Sequence, residues 1–528
     1  MSSGDCPRSQ RSADRQIAGD KNPRPPFWLR WFLANSLLAG TFALCWLLLR
    51  SGTKPSRLAY PCQQAAFSTA ASAFGAPLVA GVIALRKRVV VGLRTRASAL
   101  AGVAGLVVTM AAVAYLPRDD GGQGLQFDPP RGYRARVFQV TDCPEDPVED
   151  RFIGVDNLLI LMDSQGLKFY RSPTSGPLAG PDGIIAAADV VVIKINYQWA
   201  ERGGSNTDVL SGLIRSIVDH PDGFAGEIVV AENAQFASTS DFDRDDNNAQ
   251  NHTLSPHDVV VHFQDLGHNI SHFDWTSIRY TSVDEYSSGD MSDGYVVYDY
   301  DPQLQGRVSY PKFRSIAGTY ISLRNGVWDP DADSYDRDRL KLVDLPVLKS
   351  HSIYGVTATV KNNMGVVTRE LSTNSHSAIR YGLLGALLAE IRPADLNILD
   401  CIWINANPPG YPACGPGTSY DEATRRDLLV AGTDPVAIDI WATKNILIPA
   451  FLANGYDPPF PLADPDNPAS MFREYLDNSM SHILAGGFEV TNDLSQIDVY
   501  TWDGVAPLPI FVDGFETGST DRWSATVP

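Results

Sequence analysis

The chain has 528 residues, a formal net charge of −18 and 20% charged residues. That is enough for a membrane anchor plus one large or two medium domains. The charge is uneven: residues 1–116 hold 14 Lys/Arg and three Asp, which leaves the other 412 residues with 29 basic and 58 acidic side chains, a net of −29. A nucleic-acid binder shows the opposite sign, so no nucleic acid is expected as a partner; an acidic globular part suits solubility outside the cell or cation binding.

Residues 1–30 are polar and carry Arg8, Arg11, Arg15, Lys21, Arg24 and Arg30, the composition of a disordered tail. Trp31–Leu49, Ala65–Leu85 and Ala97–Leu116 are uncharged runs of 19, 21 and 20 residues. Each is long enough to cross a bilayer. Residues 31–116 therefore predict a membrane anchor of about three transmembrane helices. The second run, rich in Ala, Ser and Thr and holding Pro77, carries the weakest signal. A cleaved signal peptide is the alternative for the first. Six basic residues in the tail and five between the second and third runs, against three between the first and second, put the tail in the cytoplasm and everything beyond Leu116 outside. Without the second span, the soluble part would be cytoplasmic.

Residues 117–136 are rich in Gly, Pro and charge and read as a linker. From 137 to 505 strands and helices alternate. Val137–Val140 is a short strand. Val190–Ile195 is a continuous apolar run, as in a strand buried on both faces. Asn206–Asp219 has helical spacing at Val209, Leu210, Leu213, Ile214, Ile217 and Val218. Ile228–Ala231 is the next strand, which makes residues 190–231 a βαβ unit with adjacent parallel strands. Leu342–Leu348, Leu396–Ile404 and Leu428–Ala431 read as further strands, and Ser377–Ile391 and Pro435–Leu447 as helices. The fold class is α/β, a largely parallel sheet with helices on both faces, preceded by N-terminal transmembrane helices.

Polar residues recur where these strands end: Lys194 and Asn196, then Glu232 and Asn233, then Lys349 and His351. Past a Gly/Thr turn come Lys361, Asn362 and Asn363. In open α/β sheets ligands bind at the carboxyl ends of parallel strands. The expectation is one cavity, about 10 Å across, that gathers Lys194, Asn196, Glu232, Lys349, His351, Lys361 and Asp434. Lys194, Asn196, Lys349, Lys361 and Asn362 would bind an anionic small molecule. His351, Glu232 and Asp434 would transfer protons. Taken singly, Asp434 before Pro435 is most simply a helix N-cap, and Lys194 could reach solvent from a strand end.

The stretch LPVLKSH…GVTATVKNNMG, with Val190–Tyr197 (VVVIKINY), Ile228–Asn233 (IVVAEN) and Leu428–Leu447 (LLVAGTDPVAIDIWATKNIL), resembles the uncharacterised bacterial and archaeal family DUF362 over roughly residues 182–447. The resemblance implies a bacterial protein but no defined reaction; with the three spans and the basic residues above, the expectation is an inner-membrane protein whose globular domain lies in the periplasm. Two function classes stay open: an enzyme acting on a small anion at the strand-end rim, or a non-catalytic module that binds an anion or metal and hands it to a membrane partner. Some members carry ferredoxin-like cysteine motifs; this chain has no CxxC, so no cysteine-ligated iron–sulfur cluster is expected. No other cofactor is named by the sequence.

Three further features sit outside that pattern. Asp241, Asp243, Asp245 and Asn247 are spaced two apart as in calcium loops, yet Asp246 replaces the loop glycine and His252 the final Glu. Asp329, Asp331 and Asp333 have the same start without a terminal Glu. Acidic surface loops are the alternative for both. His252, His257, His262, His268 and His272 lack metal-motif spacing and read as a polar helix and loop. Cys401 and Cys414 could pair in an oxidising compartment. The terminal FVDGFETGSTDRW, within a tail of residues 506–528, resembles a DGFE-type motif of exported bacterial proteins.

Overall fold

The computed structural model describes residues 132–143, 150–235, 242–250 and 254–502. All the described residues belong to one compact unit. The tail, the three uncharged runs, most of the linker and the DGFE-type terminus lie outside them.

A ten-stranded sheet organises this unit. Its strands are β1 (Ala135–Val140), β2 (Val190–Ile195), β3 (Glu227–Glu232), β4 (Ile270–Asp274), β5 (Leu340–Leu345), β6 (Val347–His351), β7 (Gly355–Thr357), β8 (Leu396–Asn405), β9 (Thr424–Gly432) and β10 (Ile497–Trp502). The main path is β10-β1-β9-β8-β5-β2-β3-β4, with β6 beside β8 and β7 paired to β6. Only β9 against its two neighbours and β7 against β6 run antiparallel; the rest of the sheet is parallel.

The main helices are α1 (Ile153–Ser164), α2 (Thr207–Val218), α3 (Pro256–Asp265), α4 (Thr359–Asn362), α5 (Leu383–Ile391), α6 (Pro435–Ala442) and α7 (Met471–Ala485). As the apolar runs predict, β2 and β3 are adjacent and parallel with α2 between them in sequence. Asn206 starts α2 by accepting from the amides of Asp208 and Val209.

Strand alternation divides the core in two. Val190 and Val192 pack with side chains of α5, α6 and α7; Val191, Ile193 and Ile195 pack with those of α1, α2 and α3. Helices therefore cover both faces, and each Val or Ile buried this way contributes roughly 1.5–3 kcal/mol.

Three elements differ from the sequence reading. The strand expected over Leu342–Leu348 is two strands divided at Pro346: β5 pairs with β2, while β6 leaves that neighbour and pairs with β8 and β7. Proline has no amide hydrogen for the ladder. The helix expected over Ser377–Ile391 is interrupted at Gly382, whose φ of +87° ends one turn before α5 begins. A five-stranded antiparallel sheet (Gly294–Val297, Ser309–Arg314, Tyr320–Ser322, Gly326–Asp329 and Ser334–Asp336) occupies a region in which the sequence reading marked only the acidic segment from Asp329 on. Among the described residues, Pro435–Ala453 is long and apolar enough to cross a membrane, and 67% of it is buried in the core.

Candidate functional site

The ends of β2 and β3 and the turn after β7 enclose a small cavity of about 50 Å³. Five of the seven residues expected to gather at the rim line it, Lys194, Asn196, Glu232, His351 and Lys361, together with Asn362, which was expected to bind the anion. They are joined by Gln198, Trp199, Gln235, Thr357, Met364, Gly365, His376 and Pro416.

Lys194 and Glu232 form its floor. The ammonium lies 2.9 Å from Glu232 Oε2 and donates to the backbone oxygen of Asn362 at 2.5 Å; the two side chains are 8% and 3% exposed. A pair this enclosed is expensive to split, because either partner alone is a desolvated charge. Burial pushes Glu232 up to about 7 despite the opposing pull of Lys194. Gly365 closes over the pair. A Cβ there would stand 2.6 Å from Lys194 Nζ and 2.7 Å from both Glu232 oxygens.

The turn is held in place from behind. Asp439 of α6 accepts the amides of Thr359 at 2.7 Å and Val360 at 3.1 Å, and also the Thr359 hydroxyl. This satisfies the open amides at the start of α4 and fixes the single turn that carries Lys361 and Asn362. Asn362 Nδ2 then donates to Asp344 Oδ1 at 2.7 Å. Asp344 lies opposite Lys194 in the β5–β2 register, and burial pushes it up to about 7, against Lys194 and the Asn362 hydrogen bond.

Lys361 forms the cationic pole. It is 7% exposed. Its ammonium has no hydrogen bond or ion pair with any described residue, and it lies 5.5 Å from the centre of the Tyr354 ring. Burial, with Lys194 adding repulsion, brings it down to about 7.

His351 is buried beside it with Nδ1 accepting two amides, those of Ile353 and Tyr354, each at 3.1 Å. A ring nitrogen that accepts carries no proton, so the hydrogen of the neutral ring is on Nε2. Burial, then Lys361, His376 and Lys349, drive its pKa far down. His351 is thus a fixed neutral donor. The second histidine, His376, lies 5.8 Å from His351 between ring centres; burial and Lys361 lower it to about 4.

Two residues expected in this cavity do not line it. Lys349 is fully buried and donates to the backbone oxygen of Gly203, tying β6 to the loop before α2. Burial and Lys361 lower its pKa strongly. Asp434 caps α6, accepting the amides of Val436 and Ala437 at 2.9 Å, and it also receives the Thr491 amide and the Tyr133 hydroxyl. Its carboxylate is used up by four partners, which corrects its expected place at the rim.

The acidic segments do not gather as metal sites. Asp329 accepts the amides of Asp331 and Ala332 in its own turn, and Asp333 accepts the amide of Ser288, 45 residues earlier. Asp241 lies outside the described residues, as does His252. The side chains of Asp243 and Asp245 join no group: among the described residues no cluster of three or more His, Cys, Asp or Glu is placed to hold a metal. Cys401 and Cys414 are both free. Cys401 is sealed inside β8, whereas Cys414 lies 3.6 Å from the Ser350 hydroxyl, so the expected disulfide is not formed.

The cavity thus combines a buried charge pair, an unpaired ammonium, a neutral imidazole donor and several side-chain amides at the C-terminal rim of a parallel sheet. The family described as "Domain of unknown function (DUF362)" matches residues 338–444. These residues form a DUF362 domain. The match is shorter than the stretch whose motifs resemble the family, and its boundaries divide the cavity. The DUF362 domain contributes His351, Lys361, Asn362, Gly365 and His376, while Lys194 and Glu232 come from strands that precede it, and Asn196 and Gln235 from the residues just after those strands. No curated protein and no solved structure matches the chain.

Asp344, Gln235, His376 and Asp439 were missed in the sequence. An Asp inside an apolar strand facing a Lys at the matching position of another strand was the one signal for Asp344. Gln235 lies in the loop after β3 and His376 in the single helical turn Ser375–Ala378, with no periodic pattern to mark either.

Proposed function

We propose that the DUF362 domain, with the strands before it, binds the anionic group of a small molecule and moves a proton on it. The observation that carries this reading is the Lys361 ammonium, enclosed in the cavity wall with no counter-charge among the described residues. An unpaired buried cation is costly, and an anion entering the cavity relieves that cost. Glu232 and Lys361 are both brought to about 7, the range in which a proton carrier works best near neutral pH. His351, fixed as a neutral donor, orients the anion rather than shuttling protons. The volume, about 50 Å³, admits a carboxylate or a comparable head group. The uncharged runs in residues 31–116 support placing this domain on a bacterial inner membrane, facing the periplasm.

Native mass spectrometry of the full-length protein tests the binding half. The wild type is expected to carry a small acidic molecule that Lys361→Met lacks. For the proton-transfer half, Glu232→Gln is expected to keep the ligand and lose its turnover. A Gln variant that turns the ligand over as fast as wild type would reduce the site to a binding module.

A further inference from the structure

Lys361 and His351 supply donors to the cavity. Three other residues of its wall have the opposite character. Asn196 Oδ1, Gln235 Oε1 and Asn362 Oδ1 are buried side-chain oxygens that receive no hydrogen bond from any described residue. All three residues line this one cavity and are at least nine-tenths buried. The amide orientations of two are fixed by what their nitrogens do. Gln235 Nε2 donates to the backbone oxygens of Met364 and Val367, and Asn362 Nδ2 donates to Asp344. Turning either amide over would set oxygen against oxygen. Buried acceptors without donors are rare and destabilising in folded proteins, and three around a single cavity form a pattern.

We infer that the ligand is a short molecule carrying a hydrogen-bond donor, a hydroxyl or an ammonium, next to its anionic group. This rests on the anion reading above and adds the second half of the ligand. The anion faces Lys361 and the Nε2–H of His351, and the donor faces the amide oxygens of Asn196, Gln235 and Asn362. A simple carboxylate satisfies the first set and leaves the second unpaired. A site built to pair a substrate hydroxyl or amine rejects an analogue lacking it, because its own polar groups are then stranded. The cavity size limits the molecule to a few heavy atoms on this side of the opening.

The test is calorimetric titration of the full-length protein with acetate, glycolate and glycine. Glycolate or glycine is expected to bind at least ~10-fold tighter than acetate, and whichever does so identifies the donor as hydroxyl or ammonium. Asn196→Ala is expected to narrow that difference, and it is the safer variant because the Asn196 side chain makes no hydrogen bond that the fold depends on. Gln235→Leu is expected to narrow it further, with its folding followed by circular dichroism. Equal affinities for all three compounds in the wild type would overturn the inference while leaving the anion site standing. Failure of all three to bind would overturn both.

Discussion

Lys194 and Asp344 stand opposite one another on adjacent parallel strands, both buried, with Glu232 on the far side of the lysine. One ammonium thus sits among two carboxyl groups, each pushed up to about 7 by burial. Lys194 finds its counter-charge within this inner cluster. Lys361 stands beyond it and is the cation left for a ligand.

The pH dependence of stability follows from these shifts. A carboxyl whose pKa rises on folding stabilises the protein below its unfolded value and loses that contribution as pH climbs through the folded value. For Asp344 the window runs from the ordinary 3.8 to about 7. Asp344→Asn mimics the protonated acid. Its stability relative to wild type is expected to be greater at pH 8 than at pH 5, by on the order of 2 kcal/mol in urea denaturation. An equal difference at both values would show that Asp344 does not titrate in this range.

Lys361 has the opposite sign. Its pKa falls on folding from 10.5 to about 7, so the folded protein binds fewer protons between those values and gains stability as pH rises across them. Lys361→Met removes the penalty. The variant is expected to exceed wild type by on the order of 3 kcal/mol at pH 6, and the gap to close towards pH 10. A Met variant that is less stable at pH 6 would mean that Lys361 has a structural counter-charge.

Gly365→Ala places a methyl group against Lys194 and both Glu232 oxygens at 2.6–2.7 Å. Separating a buried pair and overfilling a packed site is expected to cost about 1–3 kcal/mol and to abolish anion binding. Thermal denaturation and calorimetry on one preparation would check both. Unchanged binding would mean that the pair is not part of the ligand site.

How much of this could be read in advance depended on position. Lys194 and Glu232 stood out because each ends an apolar run, and a parallel sheet brings such ends to a common rim; Lys361 stood out in the dense polar cluster that follows the strand at Lys349 and His351. The same rule misplaced Lys349 and Asp434. Lys349 lies past the break at Pro346, in a strand with different neighbours, and Asp434 starts a helix whose amides claim its carboxylate. Asp439 was hidden inside an apolar helix, and its role depends on a turn some 80 residues earlier in the chain. The five-stranded sheet was illegible because its strands are three to six residues long and separated by Asp, Gly and Ser turns.

Asp434→Ala separates the cap from the site. Loss of its bonds to the α6 amides is expected to cost about 1–2 kcal/mol of stability, with anion affinity within error of wild type. A variant that folds normally but no longer binds anion would return Asp434 to the site.

The central claim is that the Lys361 ammonium receives the ligand's negative charge, and calorimetric titration of glycolate against full-length wild type and Lys361→Met from pH 6 to pH 9 tests it most directly. The wild type is expected to bind best below its folded lysine pKa of about 7 and to weaken by up to ~10-fold per pH unit above it as the ammonium loses its proton. Lys361→Met, still folded by circular dichroism, is expected not to bind. Equal affinity in the two proteins, with the same pH profile, would contradict the account.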